Sequence, residues 1–230
     1  MKKKFLPTFL ILNFSFLISI HAQFLQGIGF TLGGTAANQK WKISPPDPDP
    51  NGFGNTTERK KFVFGFNGAV FAEFIDDENF HWQSEIQFNQ KGAKNKVNDS
   101  TKYTSRLNYI SWNNYLKYKW ELVSIAPYFF AGPQLEYLLS QRDPNPFVTD
   151  RYKKLHVSIG VGAGIELLTL GRFKPFVEAI YNPDLISKAY TTTPLKIKNR
   201  AYEIRIGFKI SLKKGKKDMD CNAPTYIPDF

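Results

Sequence analysis

The segment from residue 155 to residue 167, LHVSIGVGAGIEL, alternates strictly between two kinds of side chain. Its odd-numbered positions are apolar, whereas its even-numbered positions hold glycine or the polar residues His156, Ser158 and Glu166. A period of two indicates a β-strand whose two faces meet different surroundings. In a soluble barrel or sandwich the apolar face points inward, whereas in a transmembrane barrel it points outward to lipid. The segment therefore restricts the fold to these alternatives.

The same alternation recurs along the chain and predicts eight β-strands. Aromatic residues favour strands, and the sequence has 21 Phe and 11 Tyr but only 2 Met. No segment after Phe24 has the long apolar run of a transmembrane helix. The seventh strand is the least regular, because Pro175 interrupts it and Ile180 falls on the side of Glu178. The predicted strands span residues 24–35, 61–74, 80–92, 106–120, 126–139, 155–168, 173–182 and 200–212.

The connections between these strands alternate in length. Three are short, at about residues 75–79, 121–125 and 169–172. The other four are long, polar and rich in Pro, Asn and Lys, and they lie near residues 36–60, 93–105, 140–154 and 183–199. Short periplasmic turns and long extracellular loops are typical of outer-membrane barrels. The sequence therefore predicts an all-β fold, an eight-stranded antiparallel up-and-down transmembrane β-barrel.

Charge placement favours the same fold. Charged residues, Glu73 and Glu166 among them, fall on the polar faces, and the middles of the apolar faces carry no charge. A soluble, lipocalin-like small-ligand binder, the alternative, would enclose the apolar side chains instead. Eight strands leave no open channel, and buried charges must be paired. We therefore interpret the inward charges as an ion-pair network across the barrel, rather than an acid/base pair or a proton path: Glu85, Glu136, Glu178, Glu203, Lys117, Arg205 and Lys209.

Aromatic residues concentrate next to the short turns. Transmembrane barrels carry girdles of aromatic side chains at both membrane interfaces. Ordinary aromatic content of a β-rich protein is the alternative explanation. The predicted girdle consists of Phe74, Phe80, Trp82, Tyr118, Trp120, Phe129 and Phe173.

The chain ends predict three regions. Lys2, Lys3 and Lys4 precede an uncharged run from Phe5 to Ile20, which is typical of a secretory signal peptide with cleavage after Ala22; an uncleaved anchor is the alternative. The predicted regions are a signal peptide at 1–22, the barrel at 23–212 and a C-terminal periplasmic tail at 213–230. The lone Cys221 can form neither an internal disulfide nor a Cys-based metal site.

Candidate catalytic residues are few. His156 and Ser158 resemble the His-x-Ser pair of outer-membrane phospholipase A, but a serine hydrolase needs a third group to orient the base. Both residues fall on the inward face, so we interpret them as polar lining. With His21 and His81 as the only other histidines, no His-cluster metal site is expected. We predict no enzymatic activity and no cofactor, and a lipid-acting outer-membrane enzyme is the less favoured alternative.

Basic residues dominate the predicted long loops. The formal net charge of +11 suits anionic partners, and we expect outer-membrane lipid and lipopolysaccharide rather than nucleic acid. Simple solvation of these lysines and arginines is the alternative. We further expect a monomer. The basic residues are Lys40, Lys42, Arg59, Lys60, Lys61, Lys94, Lys96, Lys102, Arg106, Arg142, Arg151, Lys153, Lys154, Lys188, Lys196, Lys198 and Arg200.

Five pieces of sequence resemble, in order and spacing, the PorT-like outer-membrane β-barrel family of Bacteroidota. They are EIQFNQKGAK (85–94), LNYISWNNYLKYK (107–119), APYFFAGPQLEYLL (126–139), GVGAGIEL (160–167) and FVEAIYNPDL (176–185). The resemblance implies an eight-stranded outer-membrane barrel and a role as an envelope-assembly or type IX secretion accessory protein, with secretion or envelope proteins as partners. Two features depart from the family: Ile180 stands where an inward basic residue is common, and a tail follows the last strand.

Overall fold

The computed structural model describes residues 25–43, 56–75, 77, 79–98, 101–142, 153–185 and 195–212. The predicted signal peptide and the predicted tail lie outside these residues. No helix long and apolar enough to cross a membrane occurs in the described ranges. The strands are β1 (Leu25–Ile43), β2 (Thr56–Arg59), β3 (Val63–Phe74), β4 (Phe80–Asn98), β5 (Thr101–Lys119), β6 (Ile125–Arg142), β7 (Leu155–Leu167), β8 (Phe173–Pro183) and β9 (Leu195–Ser211).

The strands form one closed antiparallel sheet. Each strand from β3 to β8 pairs with the strand that follows it, and β1 pairs with both β3 and β9, which closes the ring. The short β2 pairs with residues 40–43 of β1, beyond the point where β3 ends its own pairing with β1. β2 and β3 are thus two parts of one barrel strand, interrupted at residues 60–62. The predicted eight-stranded up-and-down barrel is confirmed.

Several strands are longer than the alternation predicted. β1 continues to Ile43, β9 begins at Leu195, and β4 and β5 run on until Asn98 pairs with Thr101. The predicted loops at 36–60, 93–105 and 183–199 are therefore too long, because much of each is strand. Apolar residues mark only the stretch of strand that faces lipid, whereas backbone hydrogen bonds continue the ladder beyond it.

The short connections are tight turns with specific backbone requirements. Ile75 has a φ of 73°, which is uncommon for a β-branched residue, and Gly171 has a φ of 64°. Asp77 Oδ1 accepts hydrogen bonds from the backbone N–H groups of Asn79 and Phe80, at 3.0 and 3.1 Å. These two bonds favour the charged carboxylate, so they lower the pKa of Asp77.

The two faces of the sheet have opposite character. Apolar side chains point outward, with Phe64 75% exposed and Val161 47% exposed. Charged side chains in the middle of the strands point inward, and Arg205 is 0% exposed. A lipocalin-like fold would have the reverse arrangement, so the structure contradicts that alternative.

Candidate functional site: the charged barrel interior

The inward charges gather in three clusters along the barrel axis. The central cluster consists of Glu85, Glu178 and Arg205. The turn-end cluster, on the side of the short turns, consists of Glu73, Lys119, Glu166 and Lys209. The loop-end cluster, on the opposite side, consists of Lys91, Glu136 and Ser158. All of these side chains are buried. Because side chains alternate along each strand, every second residue of several strands reaches the same narrow interior.

In the central cluster, one guanidinium joins strands across the barrel. Arg205 on β9 donates from Nη1 to Glu85 Oε1 on β4, at 2.8 Å, and from Nε to Glu178 Oε1 on β8, at 2.7 Å. Asn113 donates to Glu85 at 2.8 Å, and the Tyr128 hydroxyl donates to Glu178 Oε2 at 3.0 Å. Both carboxylates therefore have charged and neutral donors, as burial away from water requires.

The turn-end cluster is a crossed set of two cations and two anions. Lys119 Nζ lies 2.8 Å from Glu73 Oε1 and 3.1 Å from Glu166 Oε2. Lys209 Nζ lies 3.1 Å from the same Glu73 oxygen and 2.8 Å from Glu166 Oε2. His81 Nδ1 lies 3.3 Å from Glu73 Oε1. The balanced charges of the two lysines and two glutamates compensate each other inside the barrel.

The loop-end cluster combines an ion pair with neutral donors. Lys91 Nζ lies 2.6 Å from Glu136 Oε1, and Ser158 Oγ donates to the same oxygen at 2.6 Å. Glu203 lies apart from this cluster, and its carboxylate accepts hydrogen bonds from the amides of Gln87 and Asn89, at 2.7 and 2.6 Å. Glu203 was predicted to be a member of the ion-pair network. No cation of the described residues forms a salt bridge with it, and two side-chain amides donate hydrogen bonds to its carboxylate instead.

Lys117 also differs from the predicted network. Its side chain is buried, yet it forms no ion pair with any carboxylate of the described chain. Its Nζ lies 4.6 Å from the ring centroid of Tyr128 and 5.6 to 5.7 Å from those of Phe71, Phe130 and Phe176. An ammonium over ring faces gains cation–π attraction, which offsets part of the loss of hydration. Lys117 was expected to pair with a glutamate, but aromatic rings surround its ammonium group instead.

Four charged members of the clusters were absent from the predicted network: Glu73, Lys91, Lys119 and Glu166. Glu73 and Glu166 had been placed on polar faces, and Lys91 and Lys119 follow the same alternation near strand ends. Their odd or even positions in the alternation along each strand were enough to assign them to the interior. Which charge each one meets depends on the strand register, which the sequence does not state.

His156 and Ser158 each contact other side chains of the barrel interior. The Ser158 hydroxyl donates to Glu136 Oε1, and its Oγ also lies 3.0 Å from Gln134 Oε1. The His156 ring lies edge-on against Tyr109, with ring centroids 5.7 Å apart. Both side chains are buried in the interior, as polar lining. No group of three His, Cys, Asp or Glu side chains suited to a metal ion occurs within the described ranges.

Aromatic and aliphatic side chains fill the space between and beyond the clusters. Ile180 points inward and packs with Tyr115, Tyr128 and Phe130, so its departure from the family pattern is an apolar contact. At the loop end, a second apolar group closes the interior, made of Trp41, Leu107, Tyr109, Leu138 and Ile197. The interior is a packed core, as eight strands imply.

The glycines of β7 provide room for inward rings. A Cβ added at Gly162 would lie 2.4 Å from Phe130 Cζ and 2.6 Å from the carbonyl oxygen of Ala179. At Gly164 it would lie 2.5 Å from the Tyr128 ring. The small residues of β7 thus lie opposite large residues of β6.

Replacing Gly162 with alanine should lower the free energy of unfolding by about 1–3 kcal/mol, because overpacking forces strain on the neighbouring ring and backbone. Gly34→Ala is the matched control, since a Cβ at Gly34 meets nothing within 4 Å. The measurement is urea unfolding in detergent micelles, followed by tryptophan fluorescence. Equal effects of the two substitutions would contradict the tight packing of β7 against β6.

Residues 21–185 match the family described as outer membrane protein beta-barrel domain. The chain belongs to this family. The outer-membrane barrel is therefore embedded in lipid along its apolar outer face. Such barrels usually have their short turns in the periplasm, and the two ends of this barrel are named accordingly.

Several solved outer-membrane structures are similar to this outer-membrane barrel. Neisserial surface protein A is 18% identical, with a TM-score of 0.43, and the match covers 79% of this chain and 96% of that chain. OprG from Pseudomonas aeruginosa is 11% identical, with a TM-score of 0.46 and coverage of 81% and 97%. Ail of Yersinia pestis is 12% identical, with a TM-score of 0.40 and coverage of 80% and 99%. No curated protein sequence matches the chain.

The predicted aromatic girdle lies on the outer face of the outer-membrane barrel at its periplasmic end. Phe80, Tyr118, Trp120 and Phe129 form a continuous series of ring contacts, with successive centroids 5.0, 4.7 and 5.6 Å apart. Phe74 and Trp82 form a further ring pair, with centroids 5.2 Å apart. Phe173, on β8, is exposed and contacts none of the other rings of the described chain. The structure thus brings together six of the seven predicted residues in two groups.

Proposed function

We propose that this chain is a non-enzymatic outer-membrane barrel of the PorT-like type, acting as an accessory to envelope assembly or type IX secretion. The packed interior is the observation that carries the proposal. Ion pairs and rings occupy the barrel from the turn-end cluster to the apolar group at the opposite mouth. A barrel filled in this way is suited to act through its surfaces and loops rather than by conducting solutes.

The absence of enzymatic activity is supported by the partners of the polar residues. The hydroxyl of Ser158 is engaged by Glu136 and Gln134, and Glu85 and Glu178 are held by Arg205. A nucleophile needs a neighbouring base that takes its proton and a cleft that admits substrate. These side chains instead satisfy one another inside the barrel. The five sequence pieces that resemble the PorT-like family support the accessory role.

Crosslinking in the native outer membrane tests the accessory role. A photoreactive amino acid at Val123, which is 100% exposed in a periplasmic turn, should capture proteins of the secretion or envelope-assembly machinery. Further positions for the probe are Thr57 and Lys42, which are exposed near the extracellular ends of β2 and β1. Mass spectrometry identifies the captured partners.

The matched control carries the same photoreactive group at Val161, on the lipid-facing side of β7. We expect this position to capture lipid and not the proteins that the exposed ends capture. Recovery of lipid alone from every position would contradict the accessory role and leave a structural role in the membrane.

A further inference from the structure

A cleft of about 530 Å³ opens on the outer surface of the barrel at its extracellular end. It is bounded by β3 on one side and by β4, β5 and β6 on the other. Its position on the outer wall separates it from the ion-pair clusters of the interior. The cleft is lined by Val63, Phe64, Lys94, Thr104, Arg106 and Arg142.

All charged side chains that line this cleft are positive. Arg106 and Arg142 are direct cross-strand partners in the ladder between β5 and β6, and like charges in such positions repel each other. Lys94 lies on the neighbouring strand, and its backbone bridges that of Lys61. No carboxylate of the described residues forms a salt bridge with any of these four exposed side chains. Within the described ranges, these cations therefore have no anionic partner.

The height of the cleft matches the outer edge of the membrane. Arg106 precedes Tyr118, a girdle residue, by twelve positions on β5, and Lys94 follows Trp82 by the same number on β4. At about 3.4 Å per residue and a strand tilt of about 40°, twelve residues rise roughly 30 Å along the membrane normal. The apolar band of such barrels is about 25 Å tall, so these cations reach the level of the outer lipid headgroups.

The cleft also has an apolar side suited to an acyl chain. Phe64 is 75% exposed and Phe66 is 56% exposed, and both point outward on β3 just below the cations. Between the aromatic side and Arg106 lies Gly92, which pairs with Arg106 and carries no side chain. A Cβ at Gly92 would lie 2.0 Å from the carbonyl oxygen of Ser105, and its φ of +154° is also unfavourable for other residues. Glycine at this position therefore allows β4 to pair closely with β5 beside Arg106.

We propose that this cleft binds the phosphate group of a glycolipid in the outer leaflet. The guanidinium groups of Arg106 and Arg142 contact the phosphate, since planar guanidinium groups form paired, charge-assisted hydrogen bonds with phosphate oxygens. Lys94 adds a further positive charge, and the Thr104 hydroxyl is a neutral donor beside them. Phe64 contacts the adjoining acyl chain. The site does not depend on the secretion role proposed above.

The first test measures binding of diphosphoryl lipid A to the full barrel in detergent, by native mass spectrometry. The variant carries both Arg106→Gln and Arg142→Gln, and we expect it to bind about tenfold more weakly, since charge-assisted hydrogen bonds are lost. Arg172→Gln, a loss of an exposed cation at the periplasmic end, is the matched control and should bind as the unmodified protein does. Equal binding by the double variant would overturn the proposal.

Two further ligands test whether the cleft binds the phosphate group and whether that phosphate must belong to a lipid. Lipid A without its two phosphates should bind weakly to the unmodified protein, about as weakly as diphosphoryl lipid A binds to the double variant. If the unmodified protein bound both lipids equally well, phosphate recognition would be overturned. Inorganic phosphate alone should fail to displace diphosphoryl lipid A. Displacement by inorganic phosphate at concentrations comparable to those of the lipid would overturn the assignment to a lipid headgroup.

A stability measurement separates ligand binding from a structural role. In vesicles of phosphatidylcholine alone, the double variant should unfold at the same or a higher urea concentration than the unmodified protein, because two repelling charges are removed. Addition of diphosphoryl lipid A should stabilise only the unmodified protein, by linkage between binding and folding. Lower stability of the double variant in the absence of lipid A would show that these arginines support the fold, and would overturn the proposal.

Discussion

Replacing Arg205 with leucine is expected to lower the free energy of unfolding by about 3–5 kcal/mol, the range for breaking a buried ion pair by removing one partner. The substitution leaves Glu85 and Glu178 buried without their common cation. Their remaining neutral donors, Asn113 and Tyr128, cannot replace a full positive charge. The measurement is urea unfolding of the barrel in phospholipid vesicles, followed by tryptophan fluorescence and by the mobility of unboiled protein in gels.

Two controls distinguish the loss of this cation from the general effect of a substitution. Lys174→Leu removes a partly exposed cation that lies 3.7 Å from Glu166, and should cost at most about 1 kcal/mol. Adding Glu85→Gln and Glu178→Gln to Arg205→Leu should restore much of the lost stability, because the unpaired charges are then gone. Stability of Arg205→Leu within about 1 kcal/mol of the unmodified barrel would show that the central cluster contributes little.

Replacing Val161 with arginine should lower the free energy of unfolding by about 2–4 kcal/mol, the range for a basic residue at the bilayer midplane of a barrel. Val161 is the middle residue of β7 and faces outward. Leu155→Arg is the matched control, because Leu155 lies on the same face at the extracellular end of the strand. There the cost falls to about 0–1 kcal/mol.

The comparison is made in vesicles, with folding and unfolding followed in urea. Equal costs at the two positions would mean that Val161 does not lie at the middle of the membrane. Cysteines placed at Ile159, Val161 or Ile165, with Cys221 replaced by serine, give an independent measurement in intact membranes. Reaction of all three with water-soluble maleimides would contradict the outward assignment of this face.

The packed interior also bears on how the barrel remains folded. Its charges are paired with opposite charges inside local clusters, so each cluster stabilises the strands that supply it. Lys119 and Lys209, for example, hold Glu73 and Glu166, and these four residues come from four different strands. Long-range pairs of this kind form only when the barrel closes, which favours a single register over slipped ones.

The sequence by itself determined the strand topology and the face on which each side chain lies. Alternation is a local property, since neighbouring side chains of a strand must point to opposite sides. Turn lengths then order the strands, and charge on one face alone places the apolar side against lipid. The segment around Gly162, for example, was assigned correctly to an outward apolar face and an inward small one.

Only the tertiary structure decided which inward residues meet. Arg205 binds Glu85, 120 positions earlier in the chain, because ring closure and register bring β9 and β4 to the same height. Lys117 meets aromatic rings and Glu203 meets amides, although parity had placed both among the ion pairs. The basic cleft could not be predicted from the sequence for the same reason. Arg106 and Arg142 become neighbours only because β5 pairs with β6 in this register. The odd or even position of a residue along its strand decides whether the side chain points inward or outward. Which side chains meet across the barrel depends on the register of every strand between them.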